Sequence, residues 1–239
     1  KDKDSSGDLN FYTSGGAGFS GQALKVHEPA PAEITSPQYN WLVNYLQQFE
    51  NALYAANWKT ATGTNHYSYY IDVDSFVDQH WIVEYTKQID GYRLSNYMQK
   101  DRNAKIKMEP IWDWNLSFGN ADYLEGYLTT GWYYILLGDN EHIWLRRLIS
   151  GTTDPTGTTG DPDFNQRIAD RWSQLRTNVF ATSNVLTRVN ELTNLLSEAA
   201  NRDFQKWPRL GTYIWPNPNF YVTPTTYGGI IAAMKSWIQ

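Results

Sequence analysis

The chain has no cysteine, which excludes disulfide bridges, thiolate metal sites and a cysteine nucleophile together. Histidine is scarce: His27, His66, His80 and His142 are scattered, and none is paired at metal-ligand spacing, so zinc is not expected. There is no G-x-S-x-G elbow, which removes the common α/β-hydrolase arrangement. No run approaches the roughly 18 apolar residues of a membrane span, so no membrane insertion is expected. Charged residues are 19% of the chain and the net charge is −5. The balance gives no electrostatic reason to expect nucleic acid or an anionic bilayer as partner. The opening KDKDSSGD is polar and carries no signal-peptide pattern. What the chain has in quantity is aromatic side chains, 11 Trp and 17 Tyr among its 239 residues. They suit a bulky rigid core first and an aromatic-walled cleft second.

The first 37 residues read as extended and loop-rich, with a turn at Ser14–Gly21 and a short strand near Gln22–His27. The G-x-G-x-x-G at Gly16–Gly21 lacks a following helix and is read as a flexible turn. Ser36 reads as a cap and Pro37 as the first position of a helix carrying Trp41, Leu42, Tyr45, Leu46, Phe49 and Leu53. Asp74 resembles the N-cap of a second helix with Phe76, Val77, Trp81, Ile82 and Tyr85 at helical spacing. Tyr92–Gln99 and Lys105–Ile111, flanking Lys100–Asn103, read as a β-hairpin. Trp112–Tyr123 is a loop. Helices are expected over Glu141–Ile149, Phe164–Asn178, Asn184–Arg202 and Gly229–Trp237. The class is α+β, predominantly helical, with one embedded hairpin.

A helix, an acidic loop, a hairpin, a second acidic loop and a helical bundle follow one another in the order of a protein-kinase large lobe. There, one Asp receives the substrate hydroxyl proton and a second, beyond the hairpin, holds Mg²⁺ over the phosphates. Phosphoryl transfer needs positioning and cations that neutralise spreading charge, and carboxylates at the two ends of one hairpin can face one cleft. The candidates are Asp90 and Asp113.

The stretch YIDVDSFVDQHWIVEYTKQIDGYRLSNYMQKDRNAKIKMEPIWDWNLSFGNADY (70–123) resembles the CotH (spore coat protein H) kinase family. DFNQRIADRWSQLR (163–176) and NRDFQKWPRLGTYIWPN (201–217) fit the same family. The resemblance implies an atypical kinase-like C-terminal lobe over residues 34–239. Residues 1–33 would be a remnant of the small lobe or a linker, with the rest of that lobe, and its Lys and Glu, upstream of residue 1. It implies ATP and Mg²⁺ or Mn²⁺ as cofactors and a protein Ser/Thr hydroxyl as acceptor. Asp90 in QIDGY takes the catalytic position and Asp113 in IWDWNLSFG the metal position. Asn96 and Asn115 are candidates to assist cofactor binding. Ser95 stands where spore-coat members tend to carry Asn, and Asn115 where they often carry a second Asp; both departures bear on the metal.

The alternative is a non-catalytic secreted or cell-surface module on the same fold, with a glycan or a protein surface as partner. Glycoside hydrolysis by two carboxylates is a third possibility. Glu84 and Lys87 are read as a solvated helix face, and Asp72, Asp74 and Asp78 as capping residues rather than a calcium site. Asn120 and Asp122 follow Gly119 and are candidates to touch phosphate, metal or substrate. Trp112 and Trp114 are expected to pack beneath it. Arg146 and Arg147 are expected to make surface or interhelix pairs.

Overall fold

The structure is a computed structural model and describes residues 7–239; the polar start KDKDSS lies outside them. The predominantly helical α+β class holds, with a single two-stranded antiparallel sheet among the described residues. The chain divides into two compact units. The first comprises the described residues up to His80, Tyr92–Trp112 and Leu137–Ile168; the second comprises Trp81–Gly91, Asp113–Leu136 and Ala169–Gln239.

In the first unit, β1 (Leu9–Tyr12) pairs with β2 (Ala23–Val26), Leu9 opposite Val26 and Tyr12 opposite Ala23. The glycine-rich turn between them packs so closely that a Cβ on Gly21 would stand 1.8 Å from the Thr13 carbonyl oxygen, which leaves glycine as the residue that fits. This turn is tied to α1 (Ser36–Tyr54) by the buried Glu50. The Glu50 carboxylate accepts from Thr13 Oγ1 at 2.6 Å, Gly15 N at 2.7 Å and Trp144 Nε1 at 2.9 Å. A buried charge persists where hydrogen bonds replace its water. Around it, Phe49 meets the Trp144 ring edge-on at 4.9 Å. Leu53 is buried with Ile143, Leu145 and Leu148 of α3 (Ile143–Ser150).

The second unit takes the C-terminal ends of α2 (Val73–Thr86) and α4 (Pro162–Arg176), followed by α5 (Thr182–Lys206), α6 (Asn219–Val222) and α7 (Tyr227–Ile238). Its aromatics are stacked: Trp81 on Trp172 at 4.5 Å and Tyr85 on Phe180 at 4.2 Å. Helix α5 packs on α7 and α6 on α7.

Several local expectations move. The hairpin expected over Tyr92–Ile111 is reduced to one antiparallel bridge, Gln99 with Lys107, each N–H donating to the other's carbonyl at 2.9 Å. The adjoining Ile106 pairs instead in parallel with Ile71. Long-range pairing has taken the hydrogen bonds a local hairpin would have used. The cap of α1 is Thr35 rather than Ser36: its hydroxyl accepts from Gln38 N and the Gln38 side chain reaches back, a complete capping box. At α2 the first turn is capped by Asp72, whose Oδ1 accepts from Ser75 N at 3.1 Å. Asp74 pairs with Arg167 at 2.8 Å. Arg146 is not a surface residue; it is buried in the first unit and donates to the carbonyls of Leu137 and Thr153 at 2.8 and 3.0 Å.

Candidate functional site

The site is built where α2 ends. Gln88 N donates to the Val83 carbonyl at 3.1 Å and Lys87 N to that of Glu84 at 3.2 Å. This is the paired bonding that closes a helix around a left-handed residue. The left-handed residue is Lys87, with φ +48°, where glycine is the usual choice. The side chain explains the exception. Lys87 is buried, and Nζ donates to the carbonyls of Thr130 at 2.7 Å and Leu128 at 3.2 Å. Burial pushes its pKa down, while Glu125 and Glu84 act in the opposite direction. Glu84 accepts from Tyr133 N at 2.9 Å and Tyr134 N at 2.7 Å. The solvated helix face expected at Glu84 and Lys87 is therefore a buried clamp on residues 128–134, because backbone donors and carbonyls there need partners.

The turn at Lys87 delivers Gln88, Ile89 and Asp90. Gln88 is fully buried, and both ends of its amide are used. Nε2 donates to the Asp113 carbonyl at 2.8 Å, and Oε1 accepts from Asp90 N at 3.0 Å. One side chain thus joins the two candidate acids through their backbones. Tyr133 Oη donates to the Ile89 carbonyl, and Phe118 N donates to Thr86 O at 2.7 Å. Asp90 is half-buried and Asp113 exposed.

Asp113 has φ +55° and Phe118 φ +52°. A left-handed backbone is tolerated by Asp and costly for Phe, and it persists only where the surroundings impose it. Here they do. The Phe118 carbonyl accepts from Tyr221 Oη at 2.7 Å, and its ring meets Trp237 edge-on at 6.0 Å. Burial raises the Tyr221 pKa. Trp114 is half-buried, with Nε1 donating to Thr86 Oγ1 at 3.1 Å. Trp112 does not pack beneath the loop; it is 57% exposed and stands edge-on to Tyr97 in the first unit.

Three asparagines form a directed chain ending on Asp113. Asn217 Nδ2 donates to Asn120 Oδ1 at 2.7 Å, and Asn120 Nδ2 donates to the Asn115 carbonyl at 3.0 Å. The Asn115 amide, oriented by its neighbours, donates to Asp113 Oδ1 at 2.8 Å and to the Asp113 carbonyl at 3.2 Å. Asn217 was not singled out by sequence, and neither was Gln88; an Asn or Gln in a loop gives no signal of what its amide meets. Asp122 accepts from Tyr213 Oη at 2.7 Å.

The structure thus brings together Asp90, Asp113 and Asn115 in the second unit. Asn96 belongs to the first unit, where its Oδ1 is buried without a hydrogen-bond partner. Among the described residues no group of three or more His, Cys, Asp or Glu is placed to hold a metal. The donor set suits a hard cation that takes one or two protein oxygens and completes its shell with phosphate and water, as Mg²⁺ does.

The Gln88 amide ties two loop acids together in a predominantly helical α+β chain. The family model CotH kinase protein matches residues 6–239, and the chain belongs to that family. No curated protein and no solved structure matches it. No helix among the described residues is long and apolar enough to cross a membrane.

Proposed function

We propose that the chain carries the catalytic and metal-binding segments of an atypical kinase that transfers phosphoryl from ATP to a protein Ser or Thr hydroxyl. The observation that supports this reading best is the Gln88 amide, which holds the backbones of Asp90 and Asp113 in fixed relation. Membership of a kinase family adds ATP use as the general expectation.

In this reading Asp90 accepts the proton of the acceptor hydroxyl, and Gln88 orients the segment that carries it. Asp113 would hold Mg²⁺ or Mn²⁺ through its exposed carboxylate. The Asn115 amide, donating to Oδ1, favours one orientation of that carboxylate. The metal, when bound, neutralises charge on the transferring phosphoryl group. In the first unit, the orphan oxygen of Asn96 is an acceptor of the kind a cation or a ligand N–H takes up.

A second reading is favoured by Trp207, Tyr213 and Trp215, which are 49%, 52% and 66% exposed in the second unit. Exposed aromatics of this kind suit a glycan or a protein surface, and a secreted or cell-surface setting. Calorimetric titration with ATP and Mg²⁺ of this chain and of the longest version of the protein, each with and without Asp113→Ala, separates the two. Metal-dependent binding that Asp113→Ala abolishes supports the kinase. Absence of nucleotide binding, with binding to glycans or a protein surface, supports the module.

A further inference from the structure

Beside the Asp113 loop, wholly within the second unit, lies a pocket of about 290 Å³. Phe118, Tyr221, Ile230 and Met234 supply its apolar walls, and Asn115, Ser117, Asn120 and Asn217 its polar edge. Two features of this lining limit its occupant.

The first is charge. No Lys, Arg, Asp or Glu lines the pocket. A phosphate chain would meet no cation there, and burying its charge unpaired is prohibitive. A charged acceptor side chain is excluded for the same reason. The second is position. Asn115 belongs both to the pocket edge and to the hydrogen bond on Asp113 Oδ1. Asn120 and Asn217 also line the pocket and lead into Asn115. A ligand seated here is one asparagine away from the carboxylate assigned to the metal. The amides along the edge are suited to backbone N–H and C=O groups, since each Asn offers both a donor and an acceptor. The strained Phe118, anchored at N by Thr86 and at O by Tyr221, keeps the wall in place without a ligand.

We propose that this pocket takes an uncharged, apolar side chain of the acceptor polypeptide, next to the hydroxyl presented to Asp90, with the asparagine edge holding the adjoining peptide groups. The proposal rests on the kinase reading above and names the acceptor class for that same site.

The test compares Ser-containing peptides carrying Leu, Lys or Asp beside the serine, on the wild-type chain and on Met234→Glu. Peptide binding is measured by fluorescence anisotropy, and Mg²⁺-ATP and adenosine binding by calorimetry. The expected result is a preference for the Leu peptide of roughly tenfold or more, as an apolar pocket gives. Met234→Glu abolishes that preference and leaves Mg²⁺-ATP affinity unchanged. Equal affinity for the three peptides alongside normal Mg²⁺-ATP binding overturns the pocket assignment and spares the kinase reading. Loss of adenosine affinity in Met234→Glu assigns the pocket to the nucleotide base instead and also overturns it. Failure of the longest version of the protein, with its upstream sequence, to bind Mg²⁺-ATP at all removes the kinase reading and this proposal with it. Ile230→Glu serves as the second variant if Met234→Glu does not fold.

Discussion

Gln88 and Asp113 are joined by a 2.8 Å hydrogen bond from the Gln88 side-chain nitrogen to the Asp113 carbonyl, while the other end of the same amide holds Asp90 N–H. A primary amide can do both because it carries a donor and an acceptor on one rigid plane. Glutamate has the shape but not the donor, and leucine has neither.

Gln88→Leu is therefore expected to remove the amide that accepts from Asp90 N–H and donates to the Asp113 carbonyl. An unsatisfied buried group costs about 1–3 kcal/mol. Gln88→Glu is expected to set a buried carboxylate against the Asp113 carbonyl. Phosphorylation assays should show a fall in kcat of about 10-fold or more in both variants, with a smaller change in KM for ATP. An unchanged kcat in a folded Gln88→Leu protein would refute the positioning role.

Asp90→Asn and Asp113→Asn should separate the two acids. Asn tolerates the left-handed backbone at position 113, so the fold is retained. Asp90→Asn is expected to lower turnover by about 10²–10⁴-fold and keep metal-dependent ATP binding. Asp113→Asn is expected to weaken that binding itself. Circular dichroism checks the fold, and calorimetry with a phosphorylation assay checks the split.

Glu50→Ala should destabilise the first unit although it lies in none of the candidate chemistry. Four donors, from Thr13, Gly15, Trp144 and, at 3.5 Å, Gln47, converge on its carboxylate. Hydrogen bonds to a charged group are worth about 1.5–3 kcal/mol each, and orphaning the donors adds desolvation cost. A loss of about 3 kcal/mol is expected, read as a fall in Tm of about 6–12 °C for a protein of this size. A Tm within 2 °C of wild type would contradict the anchoring role.

Acid should destabilise the protein before its carboxylates are titrated. Burial lowers the pKa of His80 and of His142 to about 3, with the neighbouring His80 and Arg146 lowering His142 further. His80 Nδ1 meets Tyr92 Oη at 2.8 Å, and the Tyr92 and His142 rings stand 5.1 Å apart. The unfolded chain protonates both near pH 6.5, whereas the folded chain holds them neutral. Stability is thus full above about pH 6.5 and is lost as pH falls towards 3. Between pH 6.5 and 5 the loss is about 2 kcal/mol per histidine. Urea midpoints at pH 7, 6 and 5 should fall steadily, and a flat profile would show that the histidines are solvated.

The sequence carried the helices and their approximate bounds, because apolar periodicity and caps are local signals. Helix α1 with Pro37 and α4 with its aromatics were legible for that reason. It also offered Asp90, Asp113, Asn96 and Asn115 as candidates, chiefly through the family resemblance of the segments around them. The hairpin between Tyr92 and Ile111 was misread for the converse reason: Ile106 pairs with Ile71, a partner distant in sequence. Glu84 and Lys87, at i and i+3 on an apparently solvent-facing turn, gave no sign of the backbone groups at Leu128, Thr130, Tyr133 and Tyr134 that they satisfy.

By itself, then, the sequence determined the helical class, the family and the residue types available for chemistry, since each is written in local pattern and motif order. Only the tertiary structure decided that Gln88 joins the two acids, that three asparagines run in one direction onto Asp113, and that Phe118 is held in a strained backbone. Hydrogen-bond direction and backbone strain depend on which distant groups are brought within about 3 Å, and that is a property of packing.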